Sequence, residues 1–344
     1  MPPNKKLRLC VIEGDGIGQE VIPAAVRVLQ AVIPGLETFP AQAGWECFQQ
    51  KGVSVPQETL DAVRECGAAL FGAVSSPARK VEGYRSAILT LRQELDLYAN
   101  LRPVRSLPRV SPRPGIDLLI VRENTEGLYA GRERLEDGGA TAIAERVITR
   151  GASERLARRT LELMRLGGRK RLTIVHKANI LPLTDGLFRD TVRWVVEEQR
   201  QTGFSIEVDE LLVDITALKL ATEPERFDTI ITTNLFGDIL SDEAACWIGG
   251  MGLASSINWG ASAALAEPVH GSAPDIAGKG IANPIAAILS AALLARYAWD
   301  QPQAAERIES AVQAALTHDL DFIGNTLAPG CTTVGITAAI IKNL

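Results

Sequence analysis

Apolar residues fall into two recurrent patterns along the chain. Short apolar runs bounded by glycine or polar residues, at Leu7–Glu13, Ala68–Val74, Asp117–Val121, Leu172–His176 and Asp228–Thr233, read as buried strands. Between them lie longer stretches with apolar residues every three or four positions. Gly18–Val32 is one, amphipathic and preceded by a glycine-rich turn. Another follows Ser153, a predicted helix cap, carries Leu156, Leu163 and Met164 on one face and ends at Gly167-Gly168. Strand and helix signals that alternate in this way predict an α/β protein with substantially parallel pairing.

Breaks in the pattern suggest the domain plan. A chain of 344 residues is comfortable as two domains. The proline-rich stretch Pro103–Pro114 and the glycine-rich stretch Gly249–Gly260 predict two crossings between them. Residues 1–101 and 258–344 then form one domain and residues 102–257 the other. Arg132–Glu145 is polar and weakly patterned, either a loop or an arm toward a partner subunit. The longest strongly apolar stretch, Ile285–Ala295, is too short for a bilayer and reads as a buried helix.

Composition narrows the function classes. Net charge is −5 with both signs interspersed and no Lys/Arg block, which argues against nucleic acid as a partner. Cys10, Cys47, Cys66, Cys246 and Cys331 are scattered without a CxxC pair, as expected of reduced thiols in a cytoplasm. Met1–Arg8 is charged and leads straight into a strand, so no signal peptide and a cytoplasmic location are expected.

The clearest chemical constellation is Asn234-Leu-Phe-Gly-Asp-Ile-Leu-Ser-Asp242, placed after a predicted strand where loops of open α/β sheets gather ligands. Asp238 and Asp242 share a helix face, and two carboxylates there repel unless a cation or an arginine sits between them. The pair is either a hard-cation site for Mg²⁺ or Mn²⁺ or a solvated helix start. Asp214, closing the strand-like Glu210–Val213, is a possible third acid. Arg92, Arg102 and Arg122 suit a substrate with several carboxylates if they converge, and are otherwise surface charge. His176-Lys177-Ala-Asn179 follows a strand, and a lysine beside a bound cation gives up its ammonium form more readily and becomes available as a base. Tyr129 offers a phenol as an acid. Two segments suit a dinucleotide: Glu13–Gly18, which departs from GxGxxG, and Glu267–Asn283, small, turn-rich and dense in polar handles, with Asp275 suited to a ribose, though composition alone fits a tight structural loop there equally well.

Together Glu13–Gly18, Leu97–Pro103, Val121–Tyr129, His176–Asn179, Asn234–Asp242 and Glu267–Asn283 resemble the isocitrate/isopropylmalate family of β-decarboxylating dehydrogenases. The resemblance implies a two-domain isopropylmalate dehydrogenase-like α/β fold with mixed parallel sheets around a central cleft, not a standard Rossmann fold. It implies a homodimer, alone or as a dimer of dimers, whose sites borrow residues from the partner. Asp238 and Asp242 would bind Mg²⁺ or Mn²⁺ with Asp214 of the other chain, which also supplies the base Lys177. Ser76, Arg92, Arg102, Arg122 and Asn179 would hold the hydroxy acid. NAD would lie against His270, Gly271, Ser272, Ala273, Asp275 and Asn283, where an acid and an apolar neighbour, Asp275-Ile276, replace the Lys and Tyr of NADP-linked members. Hydride leaves C2, CO₂ follows, and Tyr129 helps protonate the enolate.

Within the family, Ser75-Ser-Pro-Ala-Arg-Lys-Val-Glu-Gly-Tyr84 and the following Leu91-Arg92 are most similar to the homoisocitrate-oxidising members, which serve lysine biosynthesis through α-aminoadipate. Leu89 departs from those with Arg there and keeps 3-isopropylmalate open, with isocitrate, D-malate and tartrate behind it. Ile215 after Asp214 is a second departure. A non-catalytic regulatory subunit is the alternative of another class, against which stand Lys177, Tyr129 and all three aspartates.

Overall fold

The computed structural model describes residues 6–79 and 81–344. Met1–Lys5, part of the segment read as lacking a signal peptide, and Lys80 lie outside the described residues. Along the chain, β1 (Arg8–Gly14) turns into α1 (Gly18–Val32), then β2 (Glu37–Ala41), α2 (Trp45–Lys51), α3 (Gln57–Cys66), β3 (Ala68–Ala73) and α4 (Ala87–Glu94). The middle holds β4 (Ala99–Arg105), β5 (Asp117–Glu123), β6 (Glu133–Glu136), β7 (Thr141–Ala144), α5 (Arg150–Gly167), β8 (Arg171–His176), α6 (Thr184–Gln201), β9 (Glu207–Leu212), α7 (Val213–Thr222), β10 (Thr229–Thr232) and α8 (Asn234–Ala244). Then come β11 (Ser255–Trp259), β12 (Ala264–Pro268), α9 (Ile285–Leu293), α10 (Pro302–His318), β13 (Phe322–Ile323), β14 (Thr326–Leu327) and α11 (Thr333–Lys342).

Two compact units divide the chain, one comprising the chain up to Leu97, Ser106–Pro114 and Ala245–Leu344, the other Tyr98–Arg105 and Gly115–Ala244. The expected boundaries at 101/102 and 257/258 would each have fallen near or within a strand, β4 or β11. The observed divisions keep both strands whole.

In the first unit the strands run in the order β2-β1-β3-β12-β11. Pairing is parallel except between β12 and β11. All six residues of β3 are buried, which explains its unbroken apolar run. Phe71, Leu91, Leu97 and Leu265 anchor the core beneath α3 and α4. The alanine-rich α9 packs on α1 and α10, and its small side chains allow close approach. In the second unit the order is β4-β5-β10-β8-β9, parallel except between β4 and β5.

Three local expectations change. Ser153 does not cap α5: Thr149 does, its hydroxyl accepting the Ala152 amide at 3.2 Å, while buried Ser153 donates back to the Thr149 carbonyl at 2.8 Å. Asp214 lies in the first turn of α7 instead of closing a strand. Arg132–Glu145 is a two-stranded antiparallel hairpin, β6 and β7, almost entirely exposed. Among the described residues no helix is long and apolar enough to cross a membrane, and none of the five cysteines forms a disulfide.

The glycine turn after β1 is organised by Asp15, which is 1% exposed. Its carboxylate accepts the amides of Trp45 (2.8 Å), Glu46 (2.9 Å) and Ser75 (2.8 Å). Asp15→Ala leaves three amides without this acceptor and is expected to lower stability by about 3 kcal/mol, as read by guanidinium unfolding. Asp15→Asn, which keeps an acceptor oxygen, should lose clearly less.

Candidate active site

The second unit gathers five of the sequence-predicted residues at the start of α8. Arg122, on β5, is 1% exposed and reaches across to α8. Its Nε and Nη2 donate to Asn234 Oδ1 at 3.1 and 2.7 Å, and its Nη1 donates to Asp238. Arg102, on β4, donates through Nη1 to Asp242 Oδ1 (2.7 Å) and Ser241 Oγ (2.9 Å), and through Nη2 to Asp238 Oδ1 (3.5 Å). Its Nε is held by Asn100 at 2.9 Å. The Tyr129 hydroxyl donates to the other Asp238 oxygen, and its ring lies 5.2 Å from the Arg122 guanidinium carbon. Arginines thus relieve the repulsion between the two carboxylates. Burial, reinforced by the hydrogen bond to Asp238, pushes the Tyr129 phenol up from its ordinary range, so it keeps its proton.

Gly237 makes this arrangement possible. A Cβ there would stand 2.6 and 2.7 Å from Arg122 Cγ and Cβ. The sequence carried one signal for it, a glycine inside a helix, where it is costly. Asn234 had no signal beyond its place in the motif.

A second group lies at the end of β8. Lys177 Nζ donates to Asp214 across to α7, and this bond holds the Asp214 carboxyl below the usual range. The Lys177 amide donates to Asp185 Oδ2 at 2.6 Å. Asp185 is fully buried and ion-paired with Arg146 at 2.7 Å, a support missed in the sequence because both partners are remote from the motif. Asn179 is exposed in the turn that follows. Asp214 does not join Asp238 and Asp242: among the described residues no three metal-ligand side chains gather. The pair on α8 fits a divalent cation only as part of a larger donor set, and the Asp242 side chain is half-exposed.

The remaining predicted residues belong to the first unit. Arg92 on α4 is buried, and its Nη2 donates to Glu267 Oε1 at 2.9 Å, an oxygen that also accepts Asn258 Nδ2 at 2.7 Å. Ser76 is exposed, whereas its neighbour Ser75 bonds the Ser272 hydroxyl at 2.7 Å. After β12 the chain is irregular from Val269 to Pro284. His270 Nδ1 lies 3.0 Å from the Gly271 carbonyl, an acceptor, so that nitrogen carries the hydrogen. Nε2 is then an acceptor, and it is buried without a partner among the described residues. Burial also pushes the His270 pKa down, which favours the neutral ring. Ala273 adopts φ 39°, Gly271 and Asp275 are exposed, and Asn283 Oδ1 accepts the Ile285 amide at the start of α9. Asn283 also lines a largely apolar cavity of about 470 Å³ with Leu253, Ile281, Asn325 and Ile336. An unsatisfied buried acceptor, an irregular loop rich in small residues and an adjoining apolar cavity with amide handles fit an adenosine-bearing cofactor.

The family model for isocitrate/isopropylmalate dehydrogenase matches residues 8–339. The chain is 52% identical over 337 residues to an isocitrate/homoisocitrate dehydrogenase of Thermus thermophilus, covering 98% of each chain. It is 49% identical over 317 residues to a 3-isopropylmalate dehydrogenase of Methanothermobacter thermautotrophicus, covering 92% of each. The crystal structure of isocitrate dehydrogenase from Methylococcus capsulatus superposes with a TM-score of 0.91 at 41% identity, covering 98% of each. The chain belongs to the isocitrate/isopropylmalate dehydrogenase family. Its members are β-decarboxylating oxidoreductases of small hydroxy acids, dependent on a divalent metal and NAD or NADP.

Gly237→Ala should displace Arg122 and lower kcat/KM by roughly 10²-fold in steady-state assays, the scale of a misplaced substrate-binding group. His270 yields a pH effect. Between the ordinary value of 6.5 and its depressed folded value, the unfolded chain binds a proton that the native chain does not. Stability therefore falls as pH drops through that window, by at most about 1.4 kcal/mol per pH unit. His270→Asn should reduce the melting-temperature difference between pH 7.5 and pH 5.5.

Proposed function

We propose that this chain catalyses the NAD-dependent oxidative decarboxylation of homoisocitrate to 2-oxoadipate, as a step of lysine biosynthesis. The carrying observation is the convergence of buried Arg102 and Arg122 with Tyr129, Asp238 and Asp242 in one unit, a charge-balanced site for an anionic substrate beside paired acids. Arg92, fixed by Glu267, supplies a further guanidinium, and Ser76 and Asn179 supply neutral polar contacts. The segment from Ser75 to Tyr84 favours homoisocitrate. Apolar Leu89, on α4, favours 3-isopropylmalate as the second reading, and a relative of that name at 49% identity supports it.

Lys177 takes the proton of the substrate hydroxyl as C2 is oxidised. The arginines keep the carboxylates oriented while CO₂ departs, and Tyr129, which holds its proton, returns one to the enolate carbon. His270, Gly271, Ser272, Ala273, Asp275 and Asn283 would hold NAD⁺, which would supply the hydride acceptor, and Asp238 and Asp242, with Asp214 of a second copy, would hold Mg²⁺ or Mn²⁺, which would supply Lewis-acid polarisation. Asp275 disfavours the 2′-phosphate of NADP by charge repulsion.

Lys177 and Asp214 complete the site of a second copy in this reading. Ile180 (66% exposed) and Leu183 (85%) follow Lys177, and Ile215 and Leu218 flank Asp214 on α7. Ile239 on α8, which packs against α7, adds a fifth exposed apolar side chain. Such a patch suits burial against another copy, and the exposed β6–β7 hairpin offers an arm to it.

Steady-state kinetics of the purified chain with homoisocitrate, isocitrate, 3-isopropylmalate, D-malate and tartrate tests the substrate. Homoisocitrate should lead in kcat/KM by ~10-fold or more; a lead for 3-isopropylmalate overturns that assignment. Lys177→Ala should lower kcat by roughly 10²–10⁴-fold while NAD⁺ affinity stays within a few fold. Exhaustive chelation should abolish turnover, and full activity without a divalent ion would refute the metal assignment.

A further inference from the structure

Ser75 commits every polar group it has. Its amide donates to Asp15 Oδ2 (2.8 Å), its hydroxyl meets that of Ser272 (2.7 Å), and its carbonyl accepts the Tyr84 hydroxyl (3.2 Å). Each partner sits on a different segment. Asp15 opens the turn after β1, Ser272 lies in the loop after β12, and Tyr84 lies in the irregular stretch between β3 and α4. Tyr84 in turn packs edge-on against Trp45 and Phe48 of α2, both at 5.2 Å. Asp15 holds the first amides of that same helix, so the ring of contacts closes on itself. Ser272 is fixed from another side: its carbonyl accepts the Ile17 amide at 2.9 Å. Gly16 approaches so closely that a Cβ there would stand 2.2 Å from that carbonyl oxygen.

We infer that Ser75 is a positioning residue that couples the cofactor loop to the substrate-recognition segment, through its hydroxyl bond to Ser272. The inference rests on the assignment of residues 270–283 to NAD⁺ and of residues 76–92 to the hydroxy acid. The described parts of 74–86 and the loop 269–284 contain no helix or strand, so no backbone ladder sets their mutual placement. The serine pair and the Asp15 carboxylate do. A ligand that orders one segment lowers the ordering cost of the other, and the coupling is reciprocal.

The test is Ser75→Ala in the full chain, with Ser75→Thr as the variant that retains the hydroxyl. The NAD⁺ dissociation constant is measured by calorimetry with and without homoisocitrate, in the presence of a chelator so that no turnover occurs. In the unsubstituted chain homoisocitrate should tighten NAD⁺ by about tenfold, within the usual range of coupling factors. In Ser75→Ala that factor should fall to near one, and Ser75→Thr should restore it. Amide exchange of the ligand-free Ser75→Ala chain should be faster in both segments and unchanged in β1 and β3. A factor or an exchange pattern that survives in Ser75→Ala overturns the inference alone. A chain that binds neither NAD⁺ nor homoisocitrate overturns the functional reading and this inference with it.

Discussion

Guanidinium groups buried beside carboxylates govern the construction of the site. A guanidinium that is 1% exposed is tolerated only with its charge and its donors matched. Arg122 meets that demand through Asn234 and Asp238, and the demand propagates outward. It requires a glycine at position 237, a side-chain amide at the first residue of α8, and a strand pairing that sets β5 beside β10. The same solution recurs where Arg92 meets Glu267 and where Arg146 meets Asp185. Cations locked in this way have little reorganisation left to do should an anion bind, which is how a polar site acts on charge as it develops.

Much of the fold was legible because its strands are buried on both faces. Ala68–Ala73 and Thr229–Thr232 are unbroken apolar or β-branched runs because no face meets water. The acids of α8 were legible through helical spacing alone. What escaped was decided by partners distant in sequence. Thr149 displaced Ser153 as a cap because its hydroxyl also meets Glu126, 23 residues earlier. Asp185, Asn258 and Glu267 look like ordinary polar residues until the fold brings Lys177 and Arg92 beside them. Gly237 was visible but mute, since its meaning lies in a side chain that arrives from β5.

The contrast between chemistry and selectivity has a physical basis. Proton transfer and decarboxylation use groups common to every hydroxy acid of this class. Selection among those acids acts on the remaining substituent, a carboxylate in one case and a branched alkyl group in another. In the proposed reading that choice falls to a few side chains on α4 and the segment before it, which is why an apolar Leu89 weighs as much as the longer match around it.

The nesting of one unit within the other in sequence has a consequence for biosynthesis. β3 ends at Ala73, yet its neighbour β12 begins at Ala264. At ribosomal rates of about 5–20 residues per second, an apolar strand edge waits roughly 10–40 s for its mate while the intervening unit emerges and folds. Pairings this far apart form slowly even in the finished chain. The nascent amino-terminal half is therefore the stage most exposed to aggregation and most dependent on chaperones, and damage to β12 would strand it there.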